Sequence, residues 1–145
     1  MNQFKRMETA WWALRIGLGA AAFLAGLDKY FNLLATWTSY LNPTVAQMLP
    51  VSPATFMDVI GVIEMVVGLS ILTGLTRLGA YVAMVWLLAI AGNLVLAGYF
   101  DVAVRDVEMA IAAFTLARLT EVRHEAVAPR RVPDSLRPAA RRATA

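Results

Sequence analysis

Charged positions along the chain leave four apolar stretches between them. Leu78 to Phe100 runs 23 residues without a charge and predicts a membrane-crossing helix, since about 20 apolar residues span a hydrocarbon core of about 30 Å. Trp11 to Leu27 is apolar apart from Arg15 and ends at Asp28-Lys29. Pro53 to Thr73 is apolar apart from Asp58 and Glu64. Val102 to Leu119 predicts a fourth span, although Arg105, Asp106 and Glu108 crowd its first half. The segment between the first two spans holds Trp37, Tyr40, Asn42, Pro43 and Pro50 and has no charge after Lys29. Aromatic residues favour the headgroup level, so this loop is expected along the membrane face. Ser52-Pro53 reads as a helix start, serine as cap and proline in the first turn. The remaining connections, Gly74 to Arg77 and Asp101, are short, which implies antiparallel neighbours.

Composition sharpens this reading. Of 145 residues, 59% are hydrophobic and 16% charged, against about 45–50% and about 25% in soluble domains. Mean hydropathy is +0.61. The fold expected is an all-α membrane protein, an antiparallel four-helix transmembrane bundle with a polar interior over residues 1–120. A basic, flexible tail, residues 121–145, is expected to follow it. Cysteine is absent and His124 is the one histidine. Thiol chemistry, iron–sulfur ligation and bis-histidine haem are therefore excluded within the chain, and no metal site is expected.

Charge sets the orientation. With the N-terminus in the cytoplasm, Lys5, Arg6, Arg77, Arg118, Arg123, Arg130, Arg131, Arg137, Arg141 and Arg142 lie inside, while Lys29 and Arg105 lie outside. Ten against two predicts that both termini face the cytoplasm. The tail arginines fix topology in this reading. Nucleic-acid binding is not expected, because no folded basic surface with stacking aromatics accompanies them.

Charges inside the spans are the candidate chemistry, because each costs about 2.5–3.5 kcal/mol at a helix centre and calls for a partner or a task. Glu64 sits mid-span and shares a face with Gly61 and Gly68. Arg15, Gly19, Ala22, Gly26 and Lys29 form one stripe, as do Asp101, Arg105, Glu108, Ala112 and Thr115. Small residues admit close helix approach, so these faces are expected to point inward. Depth suggests that Arg15 reaches Glu64, with Glu108 and Lys29 continuing a polar chain. Asn93 is expected to make an interhelical hydrogen bond, and Asp28 to be a solvated helix end. The candidate binding residues are Arg15, Lys29, Glu64, Asn93 and Glu108. Two readings stand beside each other: buried ion pairs that fix helix register, or a proton-linked or ligand-binding cavity.

Arg15 with the run into Gly26-Leu27-Asp28-Lys29-Tyr30-Phe31, then Gly61, Glu64, Gly68 and Gly74-Leu75-Thr76-Arg77-Leu78-Gly79, then Glu108, resembles the DoxX family of small bacterial membrane proteins. The resemblance covers approximately Ala10 to Leu119. It implies a four-helix inner-membrane protein, with Arg15, Lys29, Glu64, Arg77 and Glu108 as the family-like polar positions. It also implies association with redox, sulfur-handling or oxidative-stress enzymes, since the family takes its name from a subunit of a thiosulfate:quinone oxidoreductase. The first functional expectation is thus a membrane subunit or anchor of an oxidoreductase system, not an enzyme on its own. It would carry no cofactor within the chain, associate with quinone near the polar interior, and meet a soluble partner enzyme on the cytoplasmic side. The alternatives are a small proton-linked transporter or channel, for which a homo-oligomer is expected, and a purely structural assembly protein.

Overall fold

The computed structural model describes residues 3–127. The described chain is helical: α1 spans Gln3–Asp28, α2 Pro43–Met48, α3 Pro53–Leu72, α4 Thr76–Leu96 and α5 Phe100–Val127, with a 3-10 turn at Trp37–Tyr40. Three helices are long and apolar enough to cross a membrane: α1 from Phe4, α3 and α4. α5 is long enough but is not among them, because Asp101, Arg105, Asp106 and Glu108 charge its first half and Arg118, Glu121, Arg123 and Glu125 its second. Its helix continues through Glu121 to Val127, past the expected boundary at residue 120. The rest of the expected tail, residues 128–145, lies outside the described residues.

Local chemistry sets the helix limits. Ser52 caps α3 by accepting from the Thr55 amide at 3.2 Å, with Pro53 in the first turn. α4 stops at Leu96, inside the uninterrupted apolar run that the sequence extends to Phe100. Gly98 adopts φ +85, and the amides of Gly98 and Tyr99 turn back to the carbonyls of Val95 and Leu94. This Schellman turn satisfies carbonyls that the helix end would leave open and needs a residue tolerant of left-handed backbone. Ala97–Tyr99 therefore makes the link to α5, and Asp101 lies within α5. The loop between α1 and α3 carries more order than its composition predicts. Asn42 caps α2 by accepting from the amides of Thr44 and Val45, and its side-chain amide donates to the Leu96 carbonyl at 2.8 Å.

α1 packs chiefly on α3 and α4 on α5, while α3 meets α4 and α1 meets α5. Glycine makes the first of these contacts close. A Cβ on Gly26 would lie 2.5 Å from the Gly61 carbonyl oxygen, and one on Gly68 2.6 Å from the Phe23 amide nitrogen. Gly19 faces Gly68 and Leu72 while Gly26 faces Gly61, so contacts step in reversed order along the two helices. In lipid no hydrophobic force drives helices together, and close van der Waals packing through small residues does that work. The α4–α5 seam uses alanine in the same way, with Ala80, Ala83, Ala113 and Ala117 buried around Ile71 and Leu116. Large apolar side chains point outward instead, Ile16, Leu24, Val66, Val85 and Ile111 among them. In water such a surface is a liability; in a bilayer it is solvated by acyl chains.

Candidate functional site

The described polar groups gather at two ends of the helices. One end holds the start of α1, the α3–α4 turn and the last turns of α5. There Trp11 donates through Nε1 to the Thr120 hydroxyl at 2.8 Å, Arg123 pairs with Glu8 at 2.5 Å, and Arg77 pairs with Glu121 at 2.9 Å. Just inside this end an apolar cluster of Trp11, Val67, Ile71, Ala83 and Leu116 fills the space between the helices.

Arg15 belongs to this end, and the expected contact with Glu64 is not what the geometry gives. Its guanidinium donates to the carbonyls of Ile71 at 3.0 Å, Leu72 at 2.7 Å and Thr73 at 2.5 Å. The carbonyls at a helix C-terminus lack intrahelical partners and carry the negative end of the helix dipole, so a cation settles there. The rings of Trp11 and Trp12 hold the guanidinium at 4.8 and 5.0 Å. Arg15 thus closes the end of α3. The continuous polar chain expected from Arg15 to Glu64 is replaced by two separate groups.

The second group lies at the opposite end, under the α1–α3 loop. Lys29 Nζ donates to Glu64 Oε2 at 2.5 Å. Both side chains are buried, 4% and 10% exposed. The Gly26–Gly61 approach brings the two helices close enough for this short pair, because each charged residue packs over the other helix's glycine: a Cβ on Gly26 would meet Glu64 Cβ at 3.0 Å, and one on Gly61 would meet Lys29 Cβ at 3.3 Å. The Lys29 ammonium also lies 3.9 Å from the Trp37 ring centroid. A desolvated cation over an aromatic face contributes about 2 kcal/mol.

Asp28 holds that ring in place. Its carboxylate accepts from the amides of Leu33 and Leu34, both at 3.0 Å, and from Trp37 Nε1 at 2.8 Å. Asp28 is buried, not the solvated end residue expected from its position off the α1 stripe. The chain turns at Asn32, whose φ of 51 is left-handed, and Asn32 Oδ1 accepts from the Trp37 amide. From α4, the buried Trp86 Nε1 makes no close hydrogen bond, and the Glu64 carboxylate is the acceptor beside it.

The other expected site residues fall differently. Asn93 does bond, but to the loop: its side chain donates to the Tyr40 carbonyl at 2.8 Å and accepts from the Asn42 amide at 3.1 Å. It pins the loop onto α4 instead of joining two spanning helices. Glu108 is exposed on the outer side of α5. Asp106 is half-buried and close enough to feel the charges of Glu64 and Lys29. The buried alanines at 103, 110, 113 and 117 mark its side of α5 as the inner one.

The site is therefore a buried lysine–glutamate pair, roofed by an indole that an aspartate positions, with a second indole N–H beside the carboxylate. Lys29 has three donors, and Glu64 takes one. Among the described residues no group of His, Cys, Asp and Glu could hold a metal ion.

Apolar helices and an outward apolar surface define a membrane protein. The DoxX family model matches residues 10–98, and the chain belongs to the DoxX family. The match runs from the first helix to the turn at Gly98 and so contains Arg15, Lys29, Trp37, Glu64, Trp86 and Asn93, whereas Asp106 and Glu108 lie beyond it. No curated protein and no solved structure matches the chain.

Proposed function

We propose that this protein is a membrane subunit of a quinone-linked oxidoreductase or oxidative-stress system, and that the Lys29–Glu64 site holds a quinone headgroup. The observation that carries this reading is a buried Lys29 ammonium under Trp37 that keeps donors beyond the one Glu64 takes, with the Trp86 N–H beside the same carboxylate. A quinone carbonyl is a neutral acceptor, and its ring stacks on indole. The fit is one of donor chemistry. The quinone supplies two-electron, two-proton chemistry when bound. The chain's own part is to orient a carbonyl with Lys29 and Trp86, to hold the Lys29 side chain against Glu64, and to shield the site with Trp37.

With no cysteine and one histidine, the chain brings no thiol or bis-histidine electron carrier, so electrons reach the quinone from a partner and not through this chain. That partner, a soluble redox or sulfur-handling enzyme on the cytoplasmic face, meets the end opposite Lys29 and Glu64, so it exchanges electrons with a diffusing quinone that this site then holds. In this reading α1, α3, α4 and α5 form an antiparallel four-span bundle in the bacterial inner membrane with both termini inside. The clustering of Lys5, Arg6, Arg77, Arg118 and Arg123 toward one end supports that orientation.

The test is purification in mild detergent with extraction of bound quinone. Wild-type protein is expected to carry quinone, and the Lys29→Met/Glu64→Leu double variant to stay folded and lose it. Equal quinone in both would refute the site. A folded double variant that supports its partner fully would leave the pair as an architectural device.

A further inference from the structure

At the end of the molecule remote from Lys29, Glu121 gathers two arginines from different helices. Arg77 of α4 pairs with its Oε1 at 2.9 Å, Arg118 of α5 pairs with Oε2, and the Tyr81 hydroxyl donates to Oε1 at 3.0 Å. The carboxylate is mostly covered, yet the arginine side chains remain 62% and 59% exposed. Two guanidiniums share the Glu121 carboxylate, with Glu125 the second acid near Arg118, and several of their N–H donors face outward unengaged. The neighbouring start of α4 adds to this. Leu75 occupies its cap position with no side-chain hydrogen bond, so the first turn lacks a side-chain cap and carries the positive end of the helix dipole.

Below the arginines the surface is apolar. On α4, Val85 and Leu88 follow Arg77 at helical spacings of eight and eleven and are exposed. On α5, Phe114 and Ile111 precede Arg118 by four and seven and are exposed. α4 and α5 pack on each other extensively, so both stripes flank one seam with a cationic head. The geometry points to a binding site for an anionic phospholipid, its phosphate held by Arg77, Arg118 and the start of α4, and its acyl chains along the α4–α5 seam. Charge selects the headgroup, and the apolar stripes distinguish a lipid from a free phosphate. This site rests on α4 and α5 crossing the membrane as proposed above, but not on quinone binding, which a separate assay reads.

The full-length protein in detergent, with added phosphatidylglycerol or phosphatidylcholine of the same acyl chains, tests this by native mass spectrometry. The wild type is expected to retain phosphatidylglycerol preferentially. Arg77→Gln and Arg118→Gln are each expected to weaken retention about fivefold, and the pair about thirtyfold, the size expected of two juxtamembrane arginines. The single variants keep the test open where the double variant is not monodisperse. Lys5→Gln/Arg6→Gln, at the same end of the molecule, is expected to leave retention unchanged. Loss of equal size in that control would show diffuse attraction and overturn the site. So would unchanged retention in the Arg77 and Arg118 variants, and glycerol phosphate that binds as well as the intact lipid would overturn the lipid assignment.

Discussion

Replacing Glu64 with leucine removes the carboxylate that Lys29 holds at 2.5 Å and leaves an ammonium whose side chain is 4% exposed without its anion. Breaking a buried pair from one side costs about 3–5 kcal/mol. Trp37 lies 3.9 Å from the ammonium before and after the substitution, so that contact cancels and Glu64→Leu should cost about 3–5 kcal/mol. Lys29→Met leaves Glu64 with no cation, and the full cost of about 3–5 kcal/mol is expected. The double variant replaces both groups by apolar ones of similar length and should lie within about 1 kcal/mol of wild type, since buried pairs exchange for apolar residues at little cost. The singles then sum to about 6–10 kcal/mol against about 1 for the double, a coupling of about 5 kcal/mol or more. Denaturation by sodium dodecyl sulfate in mixed micelles, followed by circular dichroism, measures all four proteins. Additivity within about 0.5 kcal/mol would refute the reasoning. The corresponding cycle on Arg15 and Glu64 should be additive, because Arg15 is engaged with the carbonyls ending α3.

Gly26→Ala places a Cβ 2.5 Å from the Gly61 carbonyl and should cost about 1–3 kcal/mol, while Gly17→Ala, with nothing within 4 Å, should be neutral or stabilise by about 0.5–1 kcal/mol; the same micelle titration reads both. Asp28→Ala releases Trp37 and the Leu33 and Leu34 amides, so protease cleavage between residues 31 and 52 should accelerate while α3 and α4 stay protected. Reporter fusions after Ala145 and near Asn42 should report opposite sides of the membrane; the same side for both would overturn the proposed topology.

Helices were readable from sequence because lipid imposes a simple rule: long apolar runs with charges at their ends. The small-residue stripes were readable too, and Gly19, Gly26, Gly61 and Gly68 meet as that pattern implies. Partner choice was not. Helix face cannot tell Arg15 from Lys29 as the partner of Glu64, since both lie on the same stripe, and depth counted from the apolar boundaries misplaces α1 along α3: Gly26 sits opposite Gly61, and Gly19 opposite Gly68 and Leu72, so Lys29 is level with Glu64. The deciding feature is the open carbonyl end of α3, which draws Arg15 away. Glu108 attracted attention because its face carries Ala112 and Thr115, yet α5 has a second small-residue face. Alanines at 103, 110, 113 and 117 share it with Asp106, and that face is the buried one. Trp37 could not be found by periodicity, because a loop places it. Its signal is local: Asp28 ends the helix, Asn32 tolerates the turn, and the indole returns to the aspartate.

Quinones quench indole emission on contact, so Trp37 itself can report on the central claim. A short-chain quinone titrated into the purified protein should quench tryptophan emission saturably. Trp37→Phe should remove most of that saturable component, and Lys29→Met/Glu64→Leu should weaken binding at least about tenfold, the loss of one charge-assisted hydrogen bond. Linear quenching that is the same in wild type and both variants would contradict a quinone site at Lys29 and Glu64.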